Sequence, residues 1–366
     1  MTTKLLLKST SSMMLCLLLQ VSSLASSFTT IDAPGAGTGA QQGTIASSIN
    51  NAGAITGNYA DASSVSHGFL RAPDGTFTTF DVLGVNGGPQ ETVPFSINNV
   101  GAIAGEYIDA GNTRHGFLRA PDGTITTFDA PGAGTGANQG TFPSSINLNG
   151  EISGGYIDSN NVDHGFVRAA DGTFATFDAT GAGAGPGQGT WAGGVNSGGA
   201  VAGSYIDASN VVHGFVRAPG GSITTFDAPG AGTSASQGTG GGSINLTGEV
   251  TGTYVDASNA MHGFVRAANG KIATINAPGA GTGIGQGTTG NSINDKGAVT
   301  GSFDASLGYH AYLRAPNGKI TEFDAPSAGS GPIPQGTVSY SINSNGVVAG
   351  YFQDANSVNH GFVRTP

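Results

Sequence analysis
Along most of the chain, short stretches rich in Ile, Val, Phe, Thr and small residues are broken by polar turns, and the same order of stretches returns about every 49 residues. Residues 43–81 show one full copy. Gly-Thr-Ile-Ala-Ser-Ser-Ile runs into a turn at Asn50-Asn51-Ala52-Gly53, and Ala-Ile-Thr-Gly-Asn-Tyr leads to a loop from Asp61 to Ser66. His67-Gly68-Phe69-Leu70-Arg71 then meets a turn at Pro73-Asp74-Gly75, before Thr-Phe-Thr-Thr-Phe-Asp ends the copy at Asp81. The Asn, Gly, Pro and Asp at the breaks are the residues that tight turns require. No window carries a helical 3.6-residue period over ten or more positions, so each copy reads as four short antiparallel strands.

The phasing is strict. All seven histidines occupy one register, at His67, His115, His164, His213, His262, His310 and His360, spaced by 48, 49, 49, 49, 48 and 50 residues. An Asp stands six positions before each (Asp61, Asp109, Asp158, Asp207, Asp256, Asp304, Asp354), and an Arg four after. A four-stranded repeat of this length matches a propeller blade, whereas a parallel β-helix has a much shorter repeat and helical solenoids need helices. Ring closure gives an independent check. Phe28-Thr29-Thr30-Ile31-Asp32 copies a fourth strand with no repeat before it, and His360-Gly361-Phe362-Val363-Arg364 is a third strand with none after it. The expected fold is all-β: a seven-bladed β-propeller of four-stranded antiparallel blades over residues 26–366, the N-terminal strand completing the last blade and removing an exposed edge.

The first residues follow another pattern. Lys4 and Lys8 precede the apolar run Met13–Leu19, and Ser23-Leu24-Ala25 supplies small residues at the positions a signal peptidase reads. Residues 1–25 are therefore expected to be a signal peptide, since the run is far shorter than the roughly 20 apolar residues that span a bilayer. Cleavage after Ala25 would remove Cys16, the only cysteine, leaving no disulfide and no thiolate nucleophile.

Composition narrows the partners. Only 10% of residues are charged, and 13 Lys and Arg stand against 23 Asp and Glu, a net charge of −10 that repels phosphate backbones. Nucleic acid and a membrane span are excluded from the expected partners. A monomer with an extracellular ligand, glycan or protein, is expected, secreted or periplasmic, without cofactor.

The Asp/His register at first resembles a catalytic arrangement in which a carboxylate fixes an imidazole. Its sevenfold repetition points instead to a structural pair across each hairpin, Tyr59 then standing opposite Phe69, and no Ser recurs beside it as a nucleophile. No catalytic residue is assigned. A second series of acids ends the fourth strands, at Asp32, Asp81, Asp129, Asp178, Asp227 and Asp324, with Asn276 in the remaining copy. These are read as turn caps that make one face acidic; without a calcium-loop pattern no metal site is assigned. The Gly-rich linkers such as Gly35–Gly39 lead into strands and lack the Lys and helix of a phosphate loop. The turn Ala72-Pro73-Asp74-Gly75-Thr76 also departs from the Ser-x-Asp-x-Gly-x-Thr-Trp turn of sialidase-like blades.

Positions that differ between copies carry the individual information. At the entry of the first strands stand Ile45, Val93, Phe142, Trp191, Gly240, Thr289 and Val338, and two places on Ser47, Phe95, Ser144, Gly193, Gly242, Asn291 and Tyr340. First strands line a propeller's channel, so Phe95, Phe142 and Trp191 are candidate ligand-binding residues of a lopsided pocket. The competing reading has these rings filling gaps between blades.

The repeat resembles the bacterial extracellular repeats named HAF, after a His-Ala-Phe tripeptide preceded by an Ile-Asn-x-x-Gly turn. Ile49-Asn50-Asn51-Ala52-Gly53 and His67-Gly68-Phe69 are the equivalents, and the likeness spans residues 28–366. Six copies carry Gly within the tripeptide, His310-Ala311-Tyr312 keeps Ala, and Arg replaces the usual Trp. The resemblance implies a secreted repeat protein and no particular activity. A non-enzymatic binding or surface module is the expected function; the alternative is a lyase or glycosidase acting on extracellular polysaccharide, which would have to gather copy-specific acids such as Glu106, Glu151, Asp163 and Glu249 in one cleft.

Overall fold
The computed structural model describes residues 26–83, 91–305, 308–332 and 334–366. The expected signal peptide, residues 1–25, lies outside them. Among the described residues the chain is all β, with no helix and hence none that could cross a membrane.

Within the first repeat the strands pair antiparallel in sequence order: Gly43–Ile49 with Ile55–Ala60, that strand with Ser66–Arg71, and that with Phe77–Phe80. The later repeats follow the same scheme, for example Gly189–Val195, Val201–Ile206, Val212–Arg217 and Ile223–Phe226. Turn chemistry fixes where each hairpin reverses. Asn50 Oδ1 accepts the N–H groups of Ala52 and Ala54, and Gly53 takes the positive φ of 87° that a side chain would resist. The first strand is bulged. Its pairing skips Ser47, and the same shift skips Phe95, Ser144, Gly242 and Tyr340, so these residues leave the ladder and face the axis.

The core lies between neighbouring sheets. One cluster joins Ile31, Ala46, Ile49, Ile55, Phe69 and Ala349, from the last and first repeats, and the aromatic ring of the His-Gly-Phe segment is fully buried at Phe69, Phe117, Phe166, Phe215 and Phe264. Sheets covered on both faces explain why the strands are small and apolar throughout instead of alternating.

Two features close the ring. Ser27–Ile31 pairs with Asn359–Thr365 as the fourth strand of the last unit, Ile31 is 1% exposed, and Phe28 packs 5.9 Å from both Phe323 and Phe362. At the opposite end of the first strands the buried asparagines form a circle. Asn50 Nδ2 donates to the Asn98 carbonyl, Asn98 to Asn147, Asn147 to Asn196, Asn196 to Asn245, Asn245 to Asn294, Asn294 to Asn343, and Asn343 back to Asn50, all at 2.9 to 3.1 Å. Each amide thus satisfies a carbonyl of the next sheet while its own oxygen caps its own turn, which fixes the angle between sheets.

Candidate functional site
The histidines lie at the rim, near the crossovers between sheets. Tyr59 stands opposite His67, and the two rings stack 5.1 Å apart; the expected pairing of Tyr59 with Phe69 is not formed, Gly57 facing that ring instead. The loop closes at Ala60–Ser66, which leaves Asp61 in the loop. There Asp61 Oδ1 accepts the N–H groups of Ser63 and Val65, and those bonds hold its carboxyl below the ordinary range.

Except at His262, the hydrogen-bond partner of each histidine is therefore not the acid six residues before it. His67 Nδ1 lies 2.8 Å from Asp81 Oδ1, whereas Nε2 is 3.6 Å from Asp61. The corresponding distances are 2.9 and 3.6 Å for His115 (Asp129, Asp109), 2.9 and 3.8 Å for His164 (Asp178, Asp158), and 3.0 and 3.6 Å for His213 (Asp227, Asp207). His360 reaches Asp32 at 2.8 Å across the chain closure and Asp354 at 3.8 Å. A carboxylate can only accept, so Nδ1 carries the proton. In two units the pattern changes. His262 binds Asn276 at 2.8 Å and Asp256 at 3.1 Å, and His310 binds Asp324 at 2.8 Å. The expected Asp304–His310 pair is not formed among the described residues. The loop there is one residue shorter, so the same six-residue spacing puts Asp304 on a strand, buried opposite Tyr309, where desolvation raises its carboxyl to about 6.

The repeated arginines also act between sheets. Arg119, Arg168, Arg217, Arg266 and Arg364 lie 4.7 to 5.1 Å over the fourth-strand phenylalanine of the preceding unit. Histidine, aspartate and arginine of the repeat are thus engaged with the protein itself. Among the described residues no group of three or more His, Asp or Glu is placed to hold a metal ion.

The copy-specific acids are dispersed. Glu106 pairs with Arg114; Glu151 and Glu249 accept from the ring amides of Asn147 and Asn245; Glu322 caps Gly279 N. Burial raises Asp163 to about 6 and Glu106 to about 7, the latter against the pull of Arg114.

The channel holds a cavity of about 720 Å³. Its walls are unequal. Ile45, Val93, Phe95 and Tyr340 form an apolar side, with Phe95 half-buried and Tyr340 38% exposed and packed 5.6 Å from Tyr351. Gly240, Gly241, Gly242 and Gly252 form a bare side, and Ser47, Ser144, Asn58, Thr253 and Asn291 supply the polar groups. Of the three aromatic candidates, Phe95 lines this cavity. Phe142 and Trp191 meet edge to face at 5.1 Å in the seam between their sheets, Arg114 lies 4.9 Å over Phe142, and Trp191 covers Gly155, where a Cβ would come within 2.8 Å of the indole. Tyr340 was visible in the sequence as the second aromatic at the bulge position, but strand alternation alone did not single it out.

No protein-family model matches the sequence and no curated protein matches it as a relative. Solved structures do resemble its fold. A streptogramin B lyase is 13% identical over 92% of this chain and 97% of that chain, with a TM-score of 0.56. A lectin from Burkholderia pseudomallei is 9% identical over 86% and 95%, TM-score 0.48, and a fucose-recognising Aleuria aurantia lectin with a six-bladed β-propeller fold is 14% identical over 84% and 96%, TM-score 0.40. At such identities the likeness concerns fold alone; it is the repeated four-stranded sheets and their closure that make the chain a repeat-built β-propeller.

Proposed function
We propose that this chain is a seven-bladed propeller, secreted after loss of residues 1–25, that acts as a non-enzymatic binding module with the central cavity as its ligand site. Four observations support the blade count and placement: seven histidine-phased copies, an asparagine circle that closes on its seventh member, the terminal strand pairing, and the resemblance to secreted HAF repeats. The observation that carries the function is the cavity itself. Its volume suits a small ligand, and its lining consists of aromatic, aliphatic, amide, hydroxyl and glycine groups. A glycosidase would need two carboxyls about 5–10 Å apart facing a substrate, and the acids here are bound into turns, ring and seam.

A thermal-shift screen of glycans, peptides and small molecules tests the proposal. A stabilising ligand should emerge whose effect disappears in the double variant Phe95→Ala/Tyr340→Ala. Hits that ignore that variant would move the site elsewhere, and cleavage of a polysaccharide with release of new chain ends would replace binding by catalysis.

A further inference from the structure
The glycines on the bare wall of the cavity fall into two kinds. A Cβ on Gly252 would lie 2.0 Å from the Gly240 carbonyl oxygen, and one on Gly241 2.8 Å from the Gly203 oxygen, so close packing of strands requires both. Gly240 and Gly242 are different. Their nearest neighbours to an added Cβ are backbone oxygens at 3.5 and 3.7 Å, an ordinary contact, and neither has a positive φ. Other units place Ile, Val, Phe, Trp or Thr at the first of these positions, and Ser, Phe, Asn or Tyr at the second except at Gly193, where a Cβ would meet the Gly242 carbonyl oxygen at 2.5 Å. Glycine inside a strand gives up both rigidity and buried surface. Neither backbone conformation nor packing accounts for it here, and the space it leaves is part of the cavity.

The opposite wall says what the space would hold. Phe95 and Tyr340, placed by the bulges, offer aromatic faces. Asn58 donates one amide N–H to Ser66 and Asn291 one to the Ser339 carbonyl, each at 2.8 Å, which leaves each side chain a carbonyl oxygen and a second N–H for a ligand. The Thr253 hydroxyl, which accepts from Gly290 N at 3.3 Å, retains its own proton to donate. Among the described residues no charged side chain lines the cavity. We infer that Gly240 and Gly242 keep the channel open for a neutral sugar ring, whose apolar face lies on Phe95 or Tyr340 and whose hydroxyls donate to Asn58 and Asn291. The inference rests on the cavity being the ligand site and adds the class of ligand. An aromatic face answers the C–H face of a pyranose, and amide acceptors answer its hydroxyl donors.

The test uses the intact chain and two variants that copy residues of other units, Gly242→Phe, as in Phe95, and Gly240→Val, as in Val93. The probes are the methyl glycosides of glucose, galactose, mannose, fucose and N-acetylglucosamine with cellobiose, set beside a neutral aromatic amide and an anionic sugar, glucuronate. Calorimetric titration of the parent should show saturable binding of at least one neutral sugar and at least tenfold weaker binding of glucuronate. Both variants should melt at or above the parent temperature and bind that sugar at least tenfold more weakly. Binding of the aromatic amide alone, lost in Gly242→Phe, would overturn the sugar assignment and leave the binding module standing. Sugar binding unchanged in both variants, or no sugar binding at millimolar concentration, would overturn the inference directly.

Discussion
His67 and its counterparts at the rim stand in nearly constant surroundings, each stacked on an aromatic ring 4.7 to 5.1 Å away and bonded to the residue that ends the next strand. The channel positions of the same sheets range from Gly242 to Phe95 and Tyr340. Repetition marks what every interface of a ring needs, whereas divergence has two sources that the structure separates. Where a neighbour compensates, as Gly155 does beneath Trp191, divergence is packing. Where nothing compensates, as at Gly240 and Gly242, the consequence is open space.

The largest effect that could break this comparison comes from removing residues 26–32. Their strand completes the last sheet, buries Ile31 and supplies Asp32 to His360. Loss of one fully buried isoleucine side chain costs on the order of 2–5 kcal/mol, and an unpaired strand edge promotes aggregation besides. The truncated protein should lose its cooperative melt by circular dichroism or aggregate. A melt like the parent's would mean that the rim contacts do not hold the ring closed.

Acids from the two regions titrate in opposite directions, which gives a second, smaller effect. At the rim, backbone N–H groups hold Asp207 low, Val211 contributing most, so its stabilisation is present above the ordinary carboxyl range and fades as pH falls through the lowered value. Glu106 stands opposite Val93, a residue of the channel cavity, and pairs with Arg114, and desolvation raises it from 4.5 to about 7. A raised carboxyl favours the native state fully below pH 4.5, and that contribution is lost as pH rises through about 7. Parent stability should therefore drop between pH 5 and 8 by up to about 3 kcal/mol, reduced by however much Arg114 retains the charge. Chemical denaturation of Glu106→Gln should show little of that slope and exceed the parent at pH 8. An unchanged slope would place the pH dependence elsewhere.

Strands, repeat and closure were legible because turn residues and histidine phasing state them outright. The rim partner was also present in the sequence, as the constant separation of fourteen residues between His67 and Asp81 or His115 and Asp129, but it becomes visible only once Gly68 is paired with Phe80. The asparagine circle was read as turn chemistry alone, since a side chain that serves its own turn and the next sheet together cannot be seen in one hairpin. The pocket was expected near Phe95, Phe142 and Trp191, of which Phe95 lines it, because pattern gives the strand that lines a channel, not the seam into which a large ring turns. Bulges aim Phe95 and Tyr340 at the axis; two places earlier, Ile45 and Val93 also reach the cavity, whereas the larger rings of Phe142 and Trp191 meet in the seam.

The smallest effect is the most discriminating. His213→Ala removes a bond of 3.0 Å to Asp227 and a ring stacked 4.9 Å from Tyr205, at a side chain 21% exposed. A partly exposed hydrogen bond of this kind is worth about 1 kcal/mol, and the stacking adds a fraction of that. His164→Ala should cost the same, because its surroundings repeat those of His213. His310→Ala should cost less, since among the described residues Asp324 is the single acid beside it. All three variants should bind the parent's ligand unchanged, because none of these side chains lines the channel cavity. Denaturation midpoints and ligand titrations on the same three proteins separate the possibilities. One histidine whose loss abolishes binding while leaving stability intact would move function from the channel to the rim.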